Sequence, residues 1–165
     1  MKIYLIGSLR NPKVLELGNL LRENDFNVFD DWMAAGPRAD DSWRDYEKQR
    51  GHSYAEALNG IAAKHVFDFD KTHLESSDVA VLLMPAGKSA HIELGYMIGR
   101  GKLAFVLFDK EPERYDVMYK FATGVFFSAS DLINVLKVVR KYKSTAPRIK
   151  QGVSASGESD ERDRL

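Results

Sequence analysis

The 165-residue chain contains no cysteine. Disulfides, thiolate metal ligands and a cysteine nucleophile are therefore excluded, and with them a small fold stapled by disulfides. An excess of charge is missing too: Lys and Arg total 24, and Asp and Glu total 24. No net field draws such a chain to a nucleic-acid polymer or to an anionic membrane, although a local cationic pocket remains open to it. Long hydrophobic runs are absent, since no stretch approaches the roughly 20 apolar residues that span a bilayer. The opening MKIYLIGS is too short an apolar run for a signal peptide and is soon interrupted by Arg10, so a cytoplasmic protein is expected. The histidines, His52, His65, His73 and His91, show no HExxH spacing or ligand cluster. Neither a catalytic metal nor another cofactor is expected.

What the chain does contain is enough apolar material for one proper core, with 44% hydrophobic and 11% aromatic residues, so one domain is the default. Residues 3–6 (IYLI) read as a strand ending at Gly7, and the polar loop GSLRN leads into a helix with Asn11 as cap and Pro12 in its first turn. Residues 26–29 form a second strand, and 30–41 (DDWMAAGPRADD) a loop. Two helices broken near Gly51 fit the segment 42–64, the second starting at a Ser53 to Glu56 capping box and running through Tyr54, Leu58 and Ile61. A short helix over 70–77 precedes VAVLLM (79–84), a continuous apolar run of the kind found in buried parallel strands. A helix over 90–100, a buried strand at 103–108, a weaker one at 125–127 and a final helix capped by Ser130 complete the pattern. The alternation predicts an α/β fold: one flavodoxin-like or Rossmann-like parallel sheet of five strands with helices on both faces, spanning 1–143. From residue 144 onward the sequence loses periodicity and reads as a disordered tail.

Ligands of such sheets bind beyond the carboxyl ends of the strands, which directs attention to the loops 7–11, 30–41 and 85–90. In GKSAHIELGYMIGRGK, Glu93 falls near the start of a helix, where the dipole favours its ionised form. It reads either as a nucleophile or as a charge that merely complements that dipole. Asp70 reads equally as a helix cap or as a second catalytic carboxyl, and Asp68 competes with it because the FDFD spacing places both on one side of an extended segment. Gly7, Ser8 and Arg10 form a turn whose N–H groups, hydroxyl and guanidinium suit a phosphate or sugar hydroxyl, and Gly87, Lys88 and Ser89 form a comparable loop before the Glu93 helix. Neither is a dinucleotide fingerprint or a P-loop, because the required further glycines are missing. Tyr4 is a strand residue that orients Glu93 only if it faces the cleft. Asp31 and Trp32, with Trp43, Tyr46, His52 and Tyr54 beyond them, belong to a polar, ring-bearing segment that suits base stacking or plain packing.

Three segments, IYLIGSLRN, DKTHLESSDVAVLL and SAHIELGYMIGRGK, taken in order, resemble the nucleoside 2-deoxyribosyltransferase-like superfamily, including its branch of nucleoside 5′-monophosphate N-glycosidases. The resemblance implies that Glu93 attacks the anomeric carbon, that Asp70 is the family's acidic residue ahead of the third strand, that Tyr4 is the tyrosine of the first strand, and that Ser8 and Arg10 are the SxR element of the hydrolase branch. It implies a retaining double displacement on a small nucleotide or nucleoside. A homodimer or larger homo-oligomer is implied on the same ground. The family often has Asp or Ser six residues before its nucleophile, where this chain has Gly87. The leading expectation is hydrolysis of a (deoxy)ribonucleoside 5′-monophosphate. Base exchange, a non-catalytic nucleotide-sensing module and an NAD-type glycohydrolase are the alternatives.

Overall fold

The structure is a computed structural model and describes residues 1–145. Its centre is a sheet of five parallel strands, β1 (Lys2–Ile6), β2 (Asn27–Phe29), β3 (Val79–Leu83), β4 (Leu103–Leu107) and β5 (Gly124–Phe126), in the order β2-β1-β3-β4-β5. Six α-helices accompany them: α1 (Lys13–Glu23), α2 (Ala39–Gln49), α3 (Tyr54–Leu58), α4 (Ile61–Glu75), α5 (Lys88–Gly99) and α6 (Ala129–Thr145). The flavodoxin-like α/β architecture expected from the alternation is the one observed. No helix among the described residues is long and apolar enough to cross a membrane.

Sheet burial explains why the strands read so plainly. All five residues of β3 are buried, so each must be apolar whichever way it points. In β1 the alternation sorts residues between two cores. Ile3 and Leu5 join Val14, Leu17 and Leu21 of α1 and Leu132, Ile133 and Leu136 of α6 on one face. Tyr4 and Ile6 join Leu74 of α4 and Ala90, Leu94 and Met97 of α5 on the other. Register is fixed by ladders such as Tyr4 to Ala80 and Ala80 to Ala104 across the centre.

Several local expectations change. Residues 30–41 are not a plain loop: a 3-10 turn covers Asp31–Ala35 and α2 begins at Ala39. The Ser53 to Glu56 capping box forms, but its helix stops at Leu58, and α4 starts after Gly60. Tyr54, Leu58 and Ile61 therefore share no buried face, and Ile61 is 90% exposed. The expected short helix over 70–77 is the second half of the 15-residue α4. Residues 68–70 are thus helical rather than extended, and Asp68 and Asp70 point apart. Asp68 pairs with Lys64 on the exposed side. Ser128, not Ser130, opens α6: its carbonyl accepts the Leu132 N–H and its Oγ the Asp131 N–H. Asn11 does act as foreseen, its Oδ1 accepting the Lys13 N–H at 3.1 Å ahead of α1. Of the expected tail, Ser144 and Thr145 belong to α6, and the remainder lies outside the described residues.

The end of β2 is tied to α1 by a carboxylate as well as by the apolar contact of Val28. Asp30 is buried and pairs with Arg22. Gly18 on α1 leaves room for that pair, because a Cβ there would press into the Asp30 carboxylate. Alanine normally gains about 1 kcal/mol over glycine in a helix interior. At this position, displacing a buried, paired carboxylate costs more, about 1–3 kcal/mol. Gly18→Ala is expected to destabilise the fold by about 1–2 kcal/mol in urea unfolding, and a neutral or stabilised variant would show that Asp30 yields freely.

Candidate active site

The strand order reverses between β1 and β3, so the chain leaves these neighbours in opposite directions and opens a crevice at their carboxyl ends. The turn after β1 and the turn after β3 meet there. Asn11 Nδ2 lies 3.5 Å from the Pro85 carbonyl oxygen. Ser8, Arg10, Asn11, Pro12, Pro85 and Ala86 line a cleft of about 320 Å³. Gly7 is needed at the exit of β1, since a Cβ would stand 2.5 Å from Val14 Cγ2. The Arg10 N–H donates to Ser8 Oγ at 3.2 Å, which shapes the turn.

On the adjoining face of the sheet, three titratable side chains from distant parts of the chain converge. Tyr4 is buried in the middle of β1. Its hydroxyl is pushed far above the usual tyrosine range by burial, with the Glu93 and then the Asp70 carboxylate adding to the effect. Glu93 on α5 is pushed up to about 7, chiefly because burial disfavours its charged form and secondarily because Asp70 is a like charge nearby. Asp70 on α4 is also raised by burial, opposed by His73. Its Oδ1 is buried without a hydrogen-bond partner among the described residues. Buried acceptors are nearly always satisfied, so an orphaned carboxylate oxygen beside a second raised carboxyl marks a candidate site rather than a structural pair.

The neighbouring helices hold this arrangement. Ala90, Leu94 and Met97 of α5 are buried, which seats that helix on the sheet. One turn beyond Glu93, the Tyr96 hydroxyl donates to the Glu75 carboxylate of α4 and clamps the two helices together. Asp70 is therefore no helix cap: it lies in the middle of α4. Nor does the helix dipole hold Glu93 ionised, because Glu93 lies beyond the first turn of α5. The dipole effect fades over that distance, and desolvation dominates.

Other expected site residues fall elsewhere. Trp32 donates its indole N–H to the Leu5 carbonyl at 2.9 Å and packs against both cores, so it anchors the loop after β2. Asp31 is exposed, and the buried acid of that loop is Asp30. Gly87 precedes α5 with extended backbone, and its carbonyl accepts from His91 Nδ1 at 2.7 Å. Lys88 and Ser89 are exposed and already form the first turn of α5 rather than a loop. Asn11, Pro85 and Ala86 fall within the loops 7–11 and 85–90 that the strand-end rule singles out, although none of them is a named site candidate, and Pro12 lies just beyond. The Asn-Pro pair and the Pro-Ala-Gly run could have been read as cleft walls, but they read first as a helix start and a loop.

A second, more apolar cleft of about 500 Å³ lies on the other side of α5, between Gly95, Gly99, Met118, Phe121 and the hydrogen-bonded pair His91 and Tyr119. It is the larger of the two, yet Glu93 and Asp70 do not line it. Nor do they line the cleft at the β1 and β3 ends, whose walls are Ser8, Arg10, Asn11, Pro12, Pro85 and Ala86.

A carboxyl raised within the fold makes stability depend on pH. Glu93 binds its proton more tightly when folded than when unfolded, so its contribution is fully present below the ordinary value of 4.5 and is lost as pH rises through about 7. Glu93→Gln keeps the shape and removes the charge. It is expected to be more stable than the unsubstituted chain at pH 8, by on the order of 3 kcal/mol, with the difference vanishing towards pH 4.5. Equal unfolding midpoints at pH 8 would mean that Glu93 is well solvated.

No family model matches the chain, and no curated protein matches it by sequence. Among solved structures it is similar to a 2-deoxyribosyltransferase of the psychrotolerant bacterium Bacillus psychrosaccharolyticus. That likeness covers 81% of this chain and 91% of the other, with 20% identity and a TM-score of 0.55. A CMP N-glycosidase of Clostridium botulinum aligns over 83% of this chain and 99% of its own, with 13% identity and a TM-score of 0.49. The chain thus shares its fold with a 2-deoxyribosyltransferase.

Proposed function

We propose that the protein is an N-glycosidase of the nucleoside 2-deoxyribosyltransferase-like superfamily that hydrolyses a (deoxy)ribonucleoside 5′-monophosphate. The observation that carries this reading is the pair of raised, half-buried carboxyls, Glu93 and Asp70, set against the buried Tyr4. The shared fold supports it, since a 2-deoxyribosyltransferase carries out its chemistry on the same scaffold.

In the first step a Glu93 carboxylate oxygen bonds to the anomeric carbon as the carbon–nitrogen bond breaks. The electron pair stays with the base nitrogen, and the Asp70 carboxylic acid supplies the proton. In the second step Asp70, now ionised, takes a proton from water, whose oxygen displaces Glu93 from the anomeric carbon. Two inversions give retention, with free base and a sugar 5-phosphate as products. Tyr4 orients the Glu93 carboxylate. Gly7, Ser8 and Arg10 receive the phosphate, and this favours hydrolysis of a nucleotide over exchange between nucleosides, because Ser8 and Arg10 line a cleft with a hydroxyl and a guanidinium to offer an anion. Lys88 and Ser89 at the start of α5 are further phosphate contacts. A homodimer or larger assembly belongs to the same reading, supported by the exposed Ile92, Met118 and Phe121 around α5.

The pair carries one proton, which rests mainly on the more strongly raised Glu93, and the reactive form is the minor arrangement in which that proton has moved to Asp70 and Glu93 is ionised. Because the last proton of the pair leaves near the value of about 7 that burial and Asp70 impose on Glu93, kcat/KM is expected to be bell-shaped with its alkaline limb near pH 7. Asp70→Asn is expected to lower kcat/KM at least about a hundredfold and to remove that limb. Glu93→Ala is expected to abolish base release while the protein stays folded. Chromatography of free base from a panel of nucleosides and 5′-monophosphates is the direct measurement. Absence of both release and exchange across the panel defeats the proposal.

A further inference from the structure

The Arg10 guanidinium stands at the rim of the cleft that Ser8, Asn11, Pro12, Pro85 and Ala86 line with it. It is already engaged. Arg10 Nη2 lies 2.8 Å from Asp41 Oδ2. The other oxygen of that carboxylate lies 3.2 Å from Arg44 Nη1. Asp41 therefore bridges two guanidiniums, and Arg44 in turn pairs with Asp45 at 2.9 Å. The carboxylate belongs to the first turn of α2, a helix of which Glu47 alone is buried. With so little apolar surface anchored, α2 does not hold Asp41 in place, and the carboxylate can give way.

From this arrangement we infer that Asp41 is an internal competitor: an anion of the chain itself that occupies Arg10 until a phosphate displaces it. The inference rests on the reading of the Ser8 to Arg10 turn as a phosphate site. Magnitudes favour displacement. Arg10 is 65% exposed and Asp41 30%, and an exposed pair of this kind biases an equilibrium by about fivefold at most. A phosphate brings nearly two charges and three acceptor oxygens, accepts two parallel N–H bonds from the guanidinium, and adds contacts to Ser8 and the turn. A neutral nucleoside has nothing to offer Arg10 in exchange. It must bind with Asp41 still in place, so the carboxylate lowers the affinity of every anion by a small factor while admitting only those that bind strongly enough to replace it. Asp41 thus sets a threshold that an anion must overcome to reach Arg10, a small penalty that an uncharged ligand does not meet.

Calorimetric titration with inorganic phosphate, on the full chain at low salt, tests this with four proteins: the unsubstituted chain, Asp41→Asn, Arg10→Ala and the double variant. Asp41→Asn is expected to bind phosphate about three- to fivefold more tightly. Arg10→Ala is expected to weaken binding, and Asp41→Asn is expected to give no gain in the Arg10→Ala background. If Arg10→Ala weakens binding but Asp41→Asn leaves it unchanged or weaker, the phosphate site stands and the competitor role of Asp41 falls. If the gain from Asp41→Asn persists without Arg10, it is a general effect of charge and the inference is overturned. If Arg10→Ala binds phosphate as well as the unsubstituted chain, or if neither that chain nor Asp41→Asn binds it, the phosphate reading fails and takes the inference with it.

Discussion

Two carboxyl groups, Glu93 and Asp70, are half-buried beside one another and beside a fully buried tyrosine. Nothing in the local geometry relieves this. The orphaned Asp70 oxygen has no donor among the described residues, and the one charge that lowers Asp70, His73, is outweighed by burial. Such an arrangement costs folding free energy and survives only if the surroundings over-determine it. The surroundings here are rigid. Tyr4 and Ile6 of β1, Leu74 of α4 and Leu94 and Met97 of α5 form one closed core, and the Tyr96 to Glu75 hydrogen bond locks the two helices at the next turn.

Topology brings the participants together from positions 4, 70 and 93. A parallel sheet sends each connecting helix back along its surface, so α4 and α5, the helices before and after β3, lie side by side on one face. Tyr4 points to that same face because Ile3 and Leu5 are committed to the other by the alternation of the strand. A one-residue slip of β1 would remove the tyrosine from both carboxyls at once. The registers of Tyr4 with Ala80 and of Ala80 with Ala104 prevent it.

Sequence patterns carried the scaffold well where a single physical cause dominated. Continuous burial made β1, β3 and β4 readable, and Asn11 and the Ser53 to Glu56 box act through local hydrogen bonds that need no tertiary information. The same patterns failed over α4. Val66, Phe67 and Phe69 are all exposed to a large degree, so the first half of that helix shows no single apolar face, and FDFD imitates a strand. Placing Glu93 at the helix start was nearly right, but the conclusion that the dipole keeps it ionised was not. Burial cannot be read from one residue, and here it outweighs a dipole already fading by the second turn. Trp32 illustrates the converse. An indole in a charged loop invites a stacking role, while its N–H is already committed to the Leu5 carbonyl.

The two halves of the site differ in how firmly they are set. Glu93 and Asp70 are carried by helices whose Leu94, Met97 and Leu74 are packed into the apolar core, so a shift of either helix would require repacking of close-packed neighbours. The Arg10 half is held by exposed ion pairs to α2, and such pairs exchange partners at little cost. Chemistry on an anomeric carbon depends on the geometry of the attacking oxygen to within a fraction of an ångström, whereas recognition of a phosphate depends mainly on charge and tolerates rearrangement. Rigid placement for the reacting groups and exchangeable pairing for the anchoring group is therefore the division that the proposed reaction requires. It follows that substitutions around α2 should alter how tightly anions are held, while substitutions in the β1, α4 and α5 core should alter whether anything reacts at all.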